Sequence, residues 1–118
     1  MPRRSYQTPT TDQALEAARR RRLRGAIIRI LHEQAPEPLN ADILLSVLER
    51  LHFSAAPQEL AAALAYLESR GYLTCAELRP PRSLARHGPV PTFVRVQLTA
   101  DGSDLAEATT EDPGVDLP

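Results

Sequence analysis

Between Leu23 and Leu31 the apolar residues Leu23, Ala26, Ile27, Ile30 and Leu31 recur at steps of three and four, the period of a helix with one buried face. The stretch around them, TPTTDQALEAARRRRLRGAIIRILHEQAPEP, predicts a helix that opens after Pro9, with Thr10 as N-cap and Gln13 three residues on, a capping-box spacing. It must close before Pro36 and Pro38, because proline lacks an amide donor and keeps the residue before it out of the helical region. A second helix is expected in LNADILLSVLERLHF. Asn40 is its N-cap, Leu39 and Leu44 have the spacing of a hydrophobic staple, and Leu44, Val47, Leu48 and Leu51 form its apolar stripe. SAAPQELAAALAYLESRGYL supplies a third, with Pro57 in the first turn, Leu60, Ala63, Leu64 and Leu67 facing inward, and Gly71 as a left-handed C-terminal cap.

Beyond Gly71 the period changes to two. YLTCAEL (72–78) and TFVRVQL (92–98) alternate apolar with polar residues, as half-buried strands do. Between them lies RPPRSLARHGPVP, too long and too rich in proline for a tight turn. TADGSDLAEA then predicts a short closing helix that starts near Thr99 or Asp101. The expected fold class is α+β, mainly helical. Three helices followed by a two-stranded hairpin is the order of a winged helix-turn-helix, with the third helix as recognition helix and the loop at about 79–91 as the wing. One domain is expected over 11–108, with a disordered arm over 1–10 and a disordered acidic tail over 109–118.

LRGAIIRILHEQAPEPLNADILLSVLERL, LAAALAYLESRGYLT and VRVQLTADGSDLAEA together resemble the small winged-helix proteins of Mu-like phages and prophages, often labelled ArsR-like regulators. The likeness spans Leu23 to Ala108 and rests chiefly on the YLESRGYLT junction and the LTADGSDLAEA closing segment. The wing loop is longer than that family leads one to expect, and the run Arg19 to Arg24 is peculiar to this chain. The resemblance implies a bacterial, cytoplasmic DNA-binding protein that regulates transcription, acting as a homodimer.

Charge changes the picture. The net charge of −1 conceals two opposed ends. Residues 1–30 hold eight arginines against Asp12 and Glu16, whereas residues 101–118 hold six acids and no base. Arg19, Arg20, Arg21 and Arg22 point in four directions around a helix, since each residue advances about 100°. Covering that turn would bury a charge, so the segment is expected to protrude past the core or to fray. A membrane-surface role is rejected because the opposite side offers mainly alanine. Two readings stay open: a basic arm that meets phosphates, or a solvated helix end with Glu16 and Arg20 as an ordinary i,i+4 pair.

The wing adds Arg79, Arg82, Arg86 and His87, with no acid from Leu78 through Ala100. The third helix weighs against DNA. Its outward positions Gln58, Glu59, Ala61, Ala62, Ala65, Glu68 and Ser69 carry no base, and only Gln58 belongs to the types that best read base edges. Two functional readings follow. In the first, a winged-helix regulator binds double-stranded DNA as a dimer through Arg19, Arg20, Arg21, Arg22, Arg24, Arg79, Arg82 and Arg86, with Gln58 on a base. In the second, a protein-interaction module, a phage accessory or assembly factor, uses Ala61, Ala62 and Ala65 as a helix-docking face.

No enzyme is expected. The five glycines are scattered and form no phosphate-binding loop, and no nucleophile motif is present. His32, His52 and His87 lack ligand spacing and Cys75 is the only cysteine, so neither a metal nor a cofactor is expected. The spacing of Cys75 does not fix its face, and an inert thiol is the simpler reading. No run of 18 to 20 apolar residues exists, so no membrane span is expected.

Overall fold

The computed structural model describes residues 11–77 and 94–118. Thr10 and the arm before it, Leu78, and the wing loop with Arg79, Arg82, Arg86 and His87 lie outside the described residues. The described chain is α+β, with four helices and one small antiparallel sheet: α1 (Thr11–Gln34), β1 (Leu39–Asn40), α2 (Ala41–Arg50), α3 (Pro57–Ser69), β2 (Leu73–Glu77), β3 (Val94–Leu98) and α4 (Ala100–Ala106).

α1 is the long member, about 36 Å at 1.5 Å per residue, and its burial begins at Leu23 as the spacing predicts. α2, α3, β3 and α4 all contact it, so its buried arc is wider than one stripe and takes in Ile28 as well as Leu23, Ile27, Ile30 and Leu31. α3 buries the four residues expected, Leu60, Ala63, Leu64 and Leu67. Each fully buried leucine or isoleucine contributes about 1.5–3 kcal/mol, which makes this cluster the main source of stability.

Where the second helix meets the sheet, two expectations change. Asn40 stands at the N-cap position with extended backbone but makes no side-chain capping bond. It belongs instead to β1, a two-residue strand that pairs Leu39 with Val96 and Asn40 with Arg95, too short to be read from alternation. Leu51 is 60% exposed, not core, because α2 ends at Arg50 and the next turn carries the residue outward.

β3 is the central strand, flanked by β1 and β2. β2 and β3 run antiparallel from Leu73 opposite Leu98 to Glu77 opposite Val94, with Cys75 opposite Val96. Leu73, Cys75, Val94, Val96 and Leu98 therefore share the inward face, and Thr74, Ala76, Arg95 and Gln97 the outward one. That settles the side of Cys75. Thr99 caps α4, its hydroxyl accepting from the Gly102 amide at 3.1 Å.

Three helices end alike. At Gly71, His52 and Ala108 the backbone enters the left-handed region, and the next residue donates to the carbonyl five positions back: Tyr72 to Leu67, Phe53 to Leu48, Thr109 to Asp104. This is the Schellman arrangement, for which glycine is the usual residue. Only Gly71 supplies one; His52 and Ala108 hold φ of 63° with a side chain in place.

The expected disordered tail is packed. Asp112 is buried with its side chain 1% exposed, and Val115 is in the core. The Asp112 carboxylate accepts from Arg70 Nε at 3.1 Å, Tyr72 Oη at 2.6 Å, Tyr66 Oη at 3.5 Å and the Gly114 amide at 2.7 Å. From there the chain crosses α1, where the Asp116 amide donates to the Arg21 carbonyl at 3.0 Å. It crosses at Gly25, where a β-carbon would collide with the Asp116 carbonyl. Composition alone suggested disorder because it weighs the acids and misses one acid ringed by donors and one valine that reaches the core.

Burial alone would raise the pKa of Asp112, yet hydrogen bonds from Arg70, Tyr72 and the Gly114 amide outweigh it and hold the group at about 2. The same contact, followed by burial, pushes Tyr72 up to about 12. Asp112 therefore stabilises the fold above its unfolded pKa near 4, and the contribution is lost as pH falls through about 2. The Tyr72 contribution is present below about pH 10 and is lost as pH rises through about 12. Urea unfolding of Asp112→Asn at neutral pH should show a loss of about 2 kcal/mol, and the variant should lack this part of the acid dependence. Ala108→Gly should raise stability by about 0.5–1 kcal/mol in thermal melts, since it relieves a left-handed alanine.

Candidate nucleic-acid interface

The arginine run is helical throughout, and folding gives most of it partners within the chain. Arg19 pairs with Glu59 of α3, Nε to Oε2 at 3.1 Å, donates to the Ser54 carbonyl, and lies over the Phe53 ring at 4.9 Å. The Glu59 bond raises the pKa of Arg19, and the Arg19 bond lowers that of Glu59. Glu59 also accepts from the Ala56 amide at 3.0 Å, half of a capping box whose other half Ala56 cannot supply. Arg20 makes the expected i,i+4 pair with Glu16 at 3.6 Å. Arg22 reaches Asp116 of the tail at 3.9 Å.

Arg24 is half-buried. Its guanidinium lies 3.7 Å from the centre of the Tyr66 ring, Nη1 donates to the Gly114 carbonyl at 3.1 Å, and Nε is buried with no hydrogen-bond partner among the described residues. Arg21 alone of the five makes no side-chain pairing among the described residues, and its carbonyl serves the tail. The segment thus neither protrudes free nor frays: Arg19 and Arg24 fasten α1 to its neighbours, Arg21 is half-buried, and Arg20 and Arg22 are exposed in weak pairs.

The candidate residues divide between two sides of α1. Arg19, Arg20 and Arg24 share a groove of about 320 Å³ with Gln58, Glu59 and Ala62, so Gln58 meets part of the basic run. Arg22 turns toward the tail instead, onto a different groove. Gln58, Ala61, Ala62 and Ala65 are all exposed along α3, as expected. On the other flank Ala61, Ala65 and Glu68 border a second groove of about 200 Å³ with Ala41, Cys75 and Val94.

Arg79, Arg82 and Arg86 fall outside the described residues. The strand leading out of the wing adds Arg95, exposed, opposite Asn40 and Ala76, and without an ion pair among the described residues. It lies in the acid-free stretch from Leu78 to Ala100, but as one polar position of an alternating strand it carries no separate signal in the sequence. Phe53 beneath Arg19 and Tyr66 beneath Arg24 were not legible, since both contacts join residues distant in sequence.

Cys75 faces inward, and burial followed by the nearby Glu68 carboxylate pushes its thiol up to about 11. His32 contacts Glu107 at 3.1 Å, and His52 serves as a helix cap. Among the described residues no three His, Cys, Asp or Glu side chains gather as a metal site would require, and no helix is long and apolar enough to cross a membrane.

Two stability outcomes follow. Arg20→Gln and Arg21→Gln should leave the stability measured in thermal melts within the scatter of surface changes, about 0.5 kcal/mol, whereas Arg24→Gln, deprived of its place over the ring and its bond to the tail, should cost about 1 kcal/mol. Cys75 should react with iodoacetamide at neutral pH far more slowly than a free thiol; a rate equal to that of glutathione would contradict the half-buried, protonated state.

Comparison with protein-family models, with curated proteins and with solved structures finds no match.

Proposed function

We propose that this chain is a winged-helix protein that binds double-stranded DNA chiefly through its wing. Arg79, Arg82 and Arg86 would contact the backbone together with Arg95 at the wing's base. The observation that carries this reading is the element order α1, β1, α2, α3, β2, β3 with β3 central in an antiparallel sheet, which is the frame a wing and a recognition helix require. Supporting it, the wing and β3 form a stretch without a single acid, and Arg95 is exposed and unpaired among the described residues.

On this reading α1 contributes less than its arginines suggest. Arg19, Arg20 and Arg22 already face carboxylates, and Arg24 is committed to Tyr66 and Gly114. Gln58 at the exposed start of α3 is the side chain suited to a base edge, and the alanines beyond it allow close approach without supplying donors. Specificity would rest more on shape and backbone than on direct readout. The role implied is transcriptional regulation of the Mu-like phage type, in a bacterial cytoplasm.

One observation favours a second reading, a protein-interaction module. The outward face of α3 carries no Arg or Lys before Arg70, and Ala61, Ala62 and Ala65 lie between two grooves. Binding to a random duplex across a salt series separates the two. The DNA reading expects affinity to fall with salt, and changing Arg79, Arg82 and Arg86 to Ser should lower the slope by about one for each phosphate no longer neutralised. Arg20→Gln with Arg21→Gln should change it less. Absence of binding at low salt would overturn the DNA reading and leave the alanine face, where Ala62→Arg with Ala65→Arg should abolish capture of a protein partner.

A further inference from the structure

A charge drawn partly out of water needs an opposite charge or a full set of hydrogen bonds, and Arg24 has neither. The residue is half-buried, its guanidinium lies over the Tyr66 ring, Nη1 donates to the Gly114 carbonyl, and Nε is shut from solvent with no hydrogen-bond partner among the described residues. All fifteen acidic residues of the chain are among those described, and none forms an ion pair with Arg24. Residues 1–10 and 78–93 contain no Asp or Glu, so they cannot supply the missing carboxylate. Arg70, the other cation beside the Tyr66 ring, has Asp112.

Arg24 borders the groove of about 320 Å³ between α1 and α3, a volume at the small end of ligand pockets. The apolar part of its lining is Leu23 and Ala63 of the core, with Ala62 exposed beside them. Around these stand three guanidiniums, Arg19, Arg20 and Arg24, against two carboxylates, Glu16 and Glu59, which leaves one positive charge in excess. Glu59 holds Arg19 and Glu16 faces Arg20, so the excess belongs to Arg24.

We propose that this groove binds a small monocarboxylate with a short apolar chain, its carboxylate on Arg24 and its chain along Leu23, Ala62 and Ala63. With Nη1 engaged by Gly114, the edge formed by Nε and Nη2 remains, and such an edge matches the two oxygens of one carboxylate. Nε is enclosed, so the guanidinium turns toward the groove to complete that pair. One negative charge cancels the excess of one. A phosphate dianion would bring a surplus charge toward Glu16 and Glu59, and an alcohol of the same length would leave the charge of Arg24 unanswered. The site uses only α1 and α3 and does not rest on the DNA reading.

Titration of the full chain with hexanoate, followed by NMR at the backbone amides and the arginine Nε protons, tests it. Hexanoate should shift the amides of Arg24, Ala62 and Ala63 saturably, move the Arg24 Nε proton downfield, and raise the melting temperature. Hexanol and inorganic phosphate should each bind at least about tenfold more weakly. Arg24→Gln should abolish the shifts at Ala62 and Ala63 while its amide spectrum stays that of the folded chain. Ala62→Leu, at an exposed position that leaves Arg24 in place, should weaken hexanoate at least about tenfold by filling the groove. No saturable shift anywhere in the millimolar range would overturn the proposal. So would hexanol or phosphate binding as tightly as hexanoate, or a hexanoate affinity indifferent to Arg24→Gln or to Ala62→Leu.

Discussion

A buried carboxylate is stable only where donors replace the water it has given up, and Asp112 meets that condition with hydrogen bonds from Arg70, Tyr72, Tyr66 and the Gly114 amide. Those partners come from the end of α3, the junction into β2 and the tail itself. One side chain thus joins the α3–β2 junction to a tail that lies some forty residues further along the sequence. With Asp112 fixed, Val115 turns into the core and Asp116 reaches the Arg21 carbonyl across Gly25. The tail becomes a strap over the middle of α1. Arg24, stacked on Tyr66 and bonded to Gly114, ties the helix to the strap from the other direction.

The strap changes what the charge distribution means. In sequence the chain is basic at one end and acidic at the other, which invites the picture of a nucleic-acid arm and a separate acidic tail. In the fold the two ends meet. Asp116 approaches Arg22, Glu59 holds Arg19, and Glu16 sits one turn from Arg20. Exposed pairs of this kind add little stability. Their larger effect is on the field, because each leaves one fewer uncompensated charge for a distant phosphate to feel. Arg95, by contrast, is exposed and has no ion pair among the described residues.

Much of the frame was legible because it rests on local chemistry. The three-and-four spacing of α3 named its buried residues, and Gly71 and Thr99 marked boundaries through glycine's left-handed freedom and the hydroxyl's reach to an amide. The same rules miss His52 and Ala108, which end their helices in the left-handed region with no glycine to announce it. β1 leaves no trace in the sequence because two residues cannot display a period. Tertiary partners were the larger gap. Nothing near Arg19 in sequence points to Glu59 or Phe53, nothing near Arg24 points to Tyr66, and nothing in an acidic tail reveals which acid is buried. Residue type marks the arginines of α1 as candidates for phosphate, but the partners that occupy most of them are ones that only the fold brings near.

Amide hydrogen exchange at Val115 and Asp116 in the intact chain tests the strap most directly. Both amides are bonded, Val115 to the Asp112 carbonyl and Asp116 to the Arg21 carbonyl. If Asp112 anchors the tail across α1, both should exchange far more slowly than in an unfolded peptide. Exchange at the unfolded rate would mean that the tail is free, and that Arg22 and Arg24 are without the partners it supplies.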